Sequence, residues 1–336
     1  MTGLGRKHTY SEAGVDIGLE ATAVKALVST LTFRRTGECA PAGGSGHFAG
    51  LIEFGDYYLA MAVDGVGTKM LVADVMEDWS TIGIDCIAMN VNDLYVMNIE
   101  PVAFVDYVAT DKLSIEKMEQ VGMGLNEGAR QANMTVIGGE TATLKGMVTG
   151  LDVAGTCLGI QKKDAIITGE KITAGDVIVG VPSSGIHSNG LTLARELVNS
   201  YARYDHEMPW GTTLGEELLT PTRIYAGVLD VTAACEVHGM CHITGGGLLN
   251  LLRLGDWGYE ITDPLIPQPI FPWMQSVGDV EEAEMYRTFN MGMGYVFIVP
   301  EESVVTVQRV FSDARPVGRI TDTPGVFLRG ESIESV

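Results

Sequence analysis

Four glycine-rich junctions carry the residues best suited to chemistry: Asp64-Gly65-Val66-Gly67-Thr68-Lys69, Gly138-Gly139-Glu140-Thr141, Ser183-Ser184-Gly185-Ile186-His187-Ser188-Asn189-Gly190 and Ile243-Thr244-Gly245-Gly246-Gly247. Glycine lets backbone N–H groups approach an anion closely, and a helix starting just beyond adds a favourable dipole. One such turn is ordinarily only a turn. Four in one chain, each beside Asp, Glu, Thr, Ser, Lys or His, point to phosphate or nucleotide contact. No Walker A sequence is present. Gly43-Gly44-Ser45-Gly46-His47 is a further glycine-rich loop, either a flexible linker or a mobile lid.

The acids near these loops suggest a divalent cation carrying nucleotide phosphates. Asp64 ends a strand-like run, Asp93 lies late in a helical one, and Glu140 follows two glycines. Asp106 and Asp152 sit within apolar segments, where an unpaired carboxylate is costly. Singly each acid reads as a cap or a salt bridge. Together they have few basic neighbours in sequence (Lys69, Lys112 and Lys117), so Asp64, Asp93, Glu140, Asp106 and Asp152 form the candidate Mg²⁺ set. Cys235, His238, Cys241 and His242 have soft-metal spacing, but they fall where a helix runs into an apolar strand and side chains diverge. Packing is the better reading there than zinc. Cys39 has no cation cluster beyond Arg34 and Arg35 to make it a reactive thiolate.

The elements that position these residues alternate. Tyr57–Val63 reads as a buried strand and Thr81–Val96 as an apolar helix. Val102–Val108 is strand-like, and Ser114 caps a further helix. Met134–Ile137 reads as a strand ending at Gly138, followed by a strand over Val148–Ile160. Beyond a charged stretch at Lys162–Gly175 come a strand at Val177–Val181 and a helix at Leu191–Ser200. Thr220-Pro221 reads as a cap starting a helix that runs to about Glu236. A strand then enters Thr244-Gly245-Gly246-Gly247, and a helix begins at Leu248. The fold class is α/β or α+β with mixed sheets, in two domains divided at 165/166. The first-half strands are apolar on much of both faces, which suits a sheet covered by a partner.

Composition bounds the partners. A length of 336 residues suits two domains at roughly 100–200 residues each. With 46% hydrophobic and 19% charged residues, wholesale disorder is excluded. The net charge of −21 argues against a nucleic-acid partner, which needs clustered Lys and Arg, but not against one phosphorylated small molecule. The most apolar region, 82–105, carries Asp85, Asn90, Asn92, Asp93 and Glu100, which excludes a membrane span. Five cysteines make no disulfide framework, so the reading is a soluble, cytoplasmic protein.

The motifs in this order resemble the phosphoribosylformylglycinamidine cyclo-ligase (aminoimidazole ribonucleotide synthetase) family. The matching runs are Tyr10–Ile17, Asp64–Lys69, Thr81–Leu94, Glu100–Thr110, Gly138–Ala142, Ser183–Gly190, Leu219–Tyr225, His242–Gly247 and Glu284–Gly294. The resemblance implies a two-domain enzyme, homodimeric through its N-terminal sheet, that uses ATP to close the imidazole ring of formylglycinamidine ribonucleotide. The formamide oxygen is phosphorylated, the amino nitrogen attacks, and phosphate leaves. It implies Mg²⁺, with a monovalent cation such as K⁺ as an option. The nucleotide would meet Asp64, Gly65, Gly67, Thr68, Lys69, Asp93, Gly138, Gly139, Glu140 and Thr141. The phosphoribosyl substrate would meet Gly44, Ser45, Gly46, Ser184, His187, Ser188, Asn189, Thr244, Gly245, Gly246 and Asn290.

Asp64, Asp93 and His187 are the catalytic candidates. His187 lies in a loop expected to expose side chains to a ligand, where an imidazole could deprotonate the attacking nitrogen or stabilise developing charge. The plainer role is a cap or a loop hydrogen bond. The chain departs from the family at three places. Thr143 replaces an acid after Gly138-Gly139-Glu140. Val28 replaces a Lys, with Lys25 one turn earlier. His47 interrupts the glycine-rich loop. Alternative readings are a thiamine-monophosphate kinase or selenophosphate synthetase relative, or a non-catalytic nucleotide-binding subunit.

Overall fold

The computed structural model describes residues 17–42 and 48–334. Residues 10–16 of the N-terminal motif, and Gly44, Ser45 and Gly46, lie outside the described residues. The first sheet contains β1 (Pro41–Ala42), β2 (Gly50–Phe54), β3 (Tyr57–Gly65), β4 (Glu100–Thr110), β5 (Thr135–Thr143) and β6 (Leu151–Lys162). Their spatial order is β1-β2-β3-β6-β4-β5. Strand alternation turns Ala60, Ala62, Phe104, Val108, Val153 and Cys157 into the core. Met61, Val63, Val105 and Tyr107 face the other way and are exposed, Val63 by 74%. The sheet is therefore apolar on both faces but covered by this chain on only one.

Helix α1 (Ile17–Thr30) is exposed along its described side chains, Lys25 and Val28 included. Helix α2 (Met70–Met76) leads to α3 (Ile82–Tyr95), which packs on β3, β6 and α4 (Ile115–Gln131). Gly83 and Gly124 let the backbones of α3 and α4 touch; a Cβ on Gly83 would lie 2.1 Å from the Leu125 amide nitrogen. Ser114 caps α4, its Oγ accepting from the Lys117 N–H. Nearly all of α3 is buried, its polar Asp85, Asn90 and Asn92 included. A helix buried on every side must satisfy its polar groups across each interface.

The second sheet contains β7 (Val177–Pro182), β8 (Gly239–His242), β9 (Gly258–Ile261), β10 (Met293–Val299), β11 (Arg315–Thr321), β12 (Gly325–Leu328) and β13 (Glu331–Ser332). Its order is β13-β12-β9-β11-β7-β10-β8, antiparallel except for β12 on β9. Helix α5 (Leu191–Tyr201) follows Gly190, whose φ of 71° is a left-handed turn into the helix.

Three expectations about elements fail for identifiable reasons. Strand β5 does not end at Ile137; it pairs with β4 through Thr143, so Gly138-Gly139-Glu140-Thr141 is edge strand rather than loop. The Leu248 helix is a 3₁₀ segment over Gly247–Leu254. Thr220-Pro221 starts no helix. Residues 220–225 run irregularly, and the helix there spans only Val228–Ala234. Helical bonding is pre-empted because α2's approach and α3 take the backbone groups of this segment. Lys69 Nζ donates to Thr220 O at 2.7 Å, and the Thr222 N–H donates to Asp85 Oδ1 at 2.7 Å. Asn92 Nδ2 donates to Arg223 O at 2.9 Å while its Oδ1 accepts the Tyr225 N–H at 3.1 Å.

Asp85 is the centre of this contact. Its Oδ2 lies 2.8 Å from Lys69 Nζ, with both side chains wholly inaccessible. Its Oδ1 also accepts from Thr222 Oγ1 at 2.6 Å and Ser188 Oγ at 3.0 Å. Burial pushes the Lys69 ammonium below the ordinary lysine value, while Asp85 opposes that shift. Removing one partner leaves the other charged and buried, at a cost of about 3–5 kcal/mol. Lys69→Met and Asp85→Asn should each destabilise the fold by about that amount. The double variant should lose clearly less than their sum, read by urea denaturation; additive losses would show that the two charges do not interact.

Candidate active site

Three of the four glycine-rich segments converge where the second sheet's loops meet α3. Thr68 Oγ1 lies 3.3 Å from Thr192 Oγ1, placing the Asp64–Lys69 turn against the start of α5. The Gly245 N–H donates to Asn189 Oδ1 at 2.9 Å, which ties the 183–190 loop to the 244–247 loop. Ser184 Oγ donates to Pro221 O, and Asn250 Nδ2 holds the carbonyls of Gly245 and Gly247. Asn290 is buried, its Oδ1 accepting from Ser183 Oγ and Gly292 N–H while Nδ2 donates to Gly185 O. It shapes the loop rather than facing a ligand. Lys69 is likewise consumed by Asp85 and Thr220, not presented to a phosphate.

The proposed carboxylate set does not gather at one point. Asp64 and Asp106 both pair in register with Gly155, so they share the core-side face but stand two strands apart, on the order of 10 Å. Gly139 lies next in that row because a Cβ there would fall 2.4 Å from Asp106 Oδ1. Glu140 and Asp152 pair with Tyr107 and Ala109, whose side chains alternate to the opposite face. Among the described residues no group of three or more His, Cys, Asp or Glu could hold a metal by itself. What remains is Asp64 with Asp93. Burial raises the Asp64 carboxyl to about 6, and the charge of Asp93 adds to the rise. Two carboxylates that repel in a desolvated niche fit a Mg²⁺ whose other ligands are phosphate oxygens and waters.

His187 is not exposed, contrary to its expected role. It is wholly buried at φ 62°, and its Nε2 accepts the Ser184 N–H at 3.2 Å. Burial, with the charges of His242, Lys69 and Arg223, depresses its affinity for a proton well below the ordinary histidine value. It is a neutral group that fixes the loop backbone. In the cysteine–histidine cluster the side chains diverge: His238 bonds Asp176 at 2.7 Å, and His242 bonds Asp93 at 3.0 Å.

Comparison with known proteins fits this arrangement. Models of the AIR synthase related protein N-terminal and C-terminal domains match residues 46–161 and 173–331. The chain is 51% identical to a phosphoribosylformylglycinamidine cyclo-ligase of Methanosarcina barkeri over 98% of this chain and 100% of that one. It is 50% identical to the enzyme of the same name from Methanocaldococcus jannaschii over 94% and 93%. The chain belongs to the AIR synthase related family. Among solved structures, AaThiL complexed with AMPPCP and TMP superposes with a TM-score of 0.67 at 17% identity, covering 98% of this chain and 97% of that one. T. maritima PurL complexed with FGAR gives 0.61 at 16%, covering 88% and 48%. At such identities these two show the shared fold alone.

Within this member of the AIR synthase related family, sequence reasoning overlooked Asp85, Asn92, Thr222 and Arg253. Asp85 and Asn92 were visible only as polar residues in an apolar helix, which is the signal of an interface. Arg253, packed over the Phe48 ring at 4.8 Å, is a cation that lowers the Asp64 carboxyl. It lies 189 positions from Asp64 in sequence. The folded value of Asp64 lies above its ordinary 3.8, so the fold gains stability as pH falls through about 6 and lacks that gain at neutral pH. In chelator, Asp64→Asn should therefore be more stable than wild type at pH 7.5, on the order of 1–3 kcal/mol. The difference should shrink toward pH 4. A variant no more stable than wild type at pH 7.5 would remove the strained carboxylate.

Proposed function

We propose that this chain is the ligase that closes the imidazole ring of formylglycinamidine ribonucleotide in purine biosynthesis, forming aminoimidazole ribonucleotide, ADP and phosphate. The observation that carries the reading is about half identity, end to end, with cyclo-ligases. The formamide oxygen attacks the γ-phosphorus of ATP and ADP departs. The amino nitrogen then attacks the activated carbon, and phosphate leaves with the former formamide oxygen. Such chemistry is mostly positioning and charge neutralisation, which suits a site of fixed loops and two carboxylates. Bound Mg²⁺ would neutralise charge on the transferring group, with Asp64 and Asp93 as the side chains that hold it. The turn at Gly65–Thr68 lies beside the phosphates, and Ser188, Asn189, Thr244 and Gly245 line the substrate side. His187 acts by shaping its loop.

The exposed apolar face of the first sheet, with Met61, Val63, Val105 and Tyr107, is covered by a second copy of the chain. No described helix is long and apolar enough to cross a membrane, and we place the protein in the cytoplasm with the other steps of nucleotide synthesis.

The purified protein should make aminoimidazole ribonucleotide only with both ATP and Mg²⁺. Asp64→Asn should lower turnover roughly 100-fold or more with the fold intact. Phosphorylation of thiamine monophosphate without ring closure would support the kinase alternative instead. Sedimentation should give a dimer that Val63→Glu dissociates; an active wild-type monomer at nanomolar concentration contradicts the covered face.

A further inference from the structure

His242 ends β8 in the second sheet, yet its ring reaches α3 of the first half of the chain. Its side chain is wholly buried, and Nδ1 lies 3.0 Å from Asp93 Oδ1. Nε2 lies 3.4 Å from Asn92 Nδ2. The Asn92 amide cannot be turned over. Its Oδ1 accepts the Tyr225 N–H, and its Nδ2 donates to Arg223 O. Nδ2 is therefore the NH₂ group, and the imidazole nitrogen facing it must be a lone pair. The proton of a neutral imidazole is then on Nδ1, where it donates to Asp93.

This arrangement does something a Lys or Arg at the same place could not. A cation beside Asp93 would compete with a metal for its charge. A neutral N–H donor turns the carboxylate and leaves its charge available. Only Oδ1 is engaged; Oδ2 has no hydrogen bond among the described residues, and Asp93 is partly accessible while His242 is not. One oxygen is held and the other is left without a protein donor among the described residues. The Tyr225 ring, its centroid 6.5 Å from that of the imidazole in a T-shaped arrangement, closes a further side of the histidine.

We propose that His242 is a positioning residue, fixed as the Nδ1–H tautomer by Asn92, which orients Asp93 toward the cation of a metal–nucleotide complex. The proposal rests on the reading of Asp93 as a cation ligand. It links the two halves of the chain at the site: the backbone of 223–225 sets Asn92, Asn92 sets His242, and His242 sets Asp93.

The test uses the full-length protein, with Mg²⁺ and ADP as probes in calorimetry. His242→Phe keeps the ring volume and loses the donor; it should weaken ADP binding in Mg²⁺ roughly 10- to 100-fold and leave metal-free ADP binding unchanged. His242→Asn, whose amide N–H can stand in for Nδ1–H, should stay within a few-fold of wild type. Nitrogen-15 NMR of the wild-type imidazoles, assigned through His242→Asn, should show the proton on Nδ1, a readout that needs no variant to retain activity. An Nε2–H tautomer overturns the proposal. So does a folded His242→Phe that binds Mg²⁺-ADP like wild type, or a His242→Asn as impaired as His242→Phe. Asp93→Asn separates the two levels. If it binds Mg²⁺-ADP normally, the reading of Asp93 as a ligand fails. If it loses that binding and His242→Phe does not, only the positioning role fails.

Discussion

A buried ion pair decides how the two halves of this chain meet. Lys69 and Asp85 lie 2.8 Å apart with no solvent access, and both belong to the first half. Neither charge is satisfied by the other alone. Lys69 also needs the Thr220 carbonyl, and Asp85 also takes Thr222 and Ser188 from the second half. An isolated buried pair of this kind adds little net stability, since desolvation offsets attraction. Its consequence is geometric: the second half can dock in only one position that leaves neither ion bare. The non-helical path of residues 220–225 and the placement of the 183–190 loop follow from that requirement.

Helix α3 is the element through which this constraint reaches the site. Two turns apart it offers Asp85 and Asn92 to the second half, and Asp93 sits one residue beyond Asn92. Residues that lock the docking thus stand beside Asp93, whose charge reaches Asp64 where α3 packs on β3. Asp64 itself is set by β3, whose alternation points it to the same side as Ala60 and Ala62. The niche is desolvated enough to hold the Asp64 carboxyl near 6, and a cation bound between the two acids would relieve that strain. Phosphoryl transfer needs little else from side chains, which accounts for how many polar groups here hold loops rather than face a ligand.

Local patterns were legible in the sequence where local forces decide. The runs at 57–63 and 177–181, the Ser114 cap and the apolar helix at 81–96 all appear in place because periodicity and capping fix them. Glycine-rich segments marked three of the loops that converge. Gly138–Thr141 misled for a physical reason: its small residues serve the close approach of Asp106 in an edge strand, not a turn. Thr220-Pro221 carries helix-start chemistry that tertiary hydrogen bonds from Lys69, Asp85 and Asn92 override. The five acids could not be sorted from spacing, because which face a strand residue takes depends on register across β3, β6, β4 and β5. The surroundings of His187 and His242 were illegible for a similar reason: burial, invisible in a loop motif, encloses the first, and docking of β8 on α3 brings the second to Asp93.

The central claim is that Asp64 and Asp93, brought together where α3 packs on β3, form the protein's part of the cation site for the nucleotide. The most direct measurement is diffraction from crystals grown with Mn²⁺ and ADP, using the anomalous signal of manganese to locate the ion. The account predicts one manganese peak bound by oxygens of both Asp64 and Asp93 and by the nucleotide phosphates. A nucleotide-bound manganese elsewhere, with the two carboxylates free or only hydrogen-bonded, would contradict it.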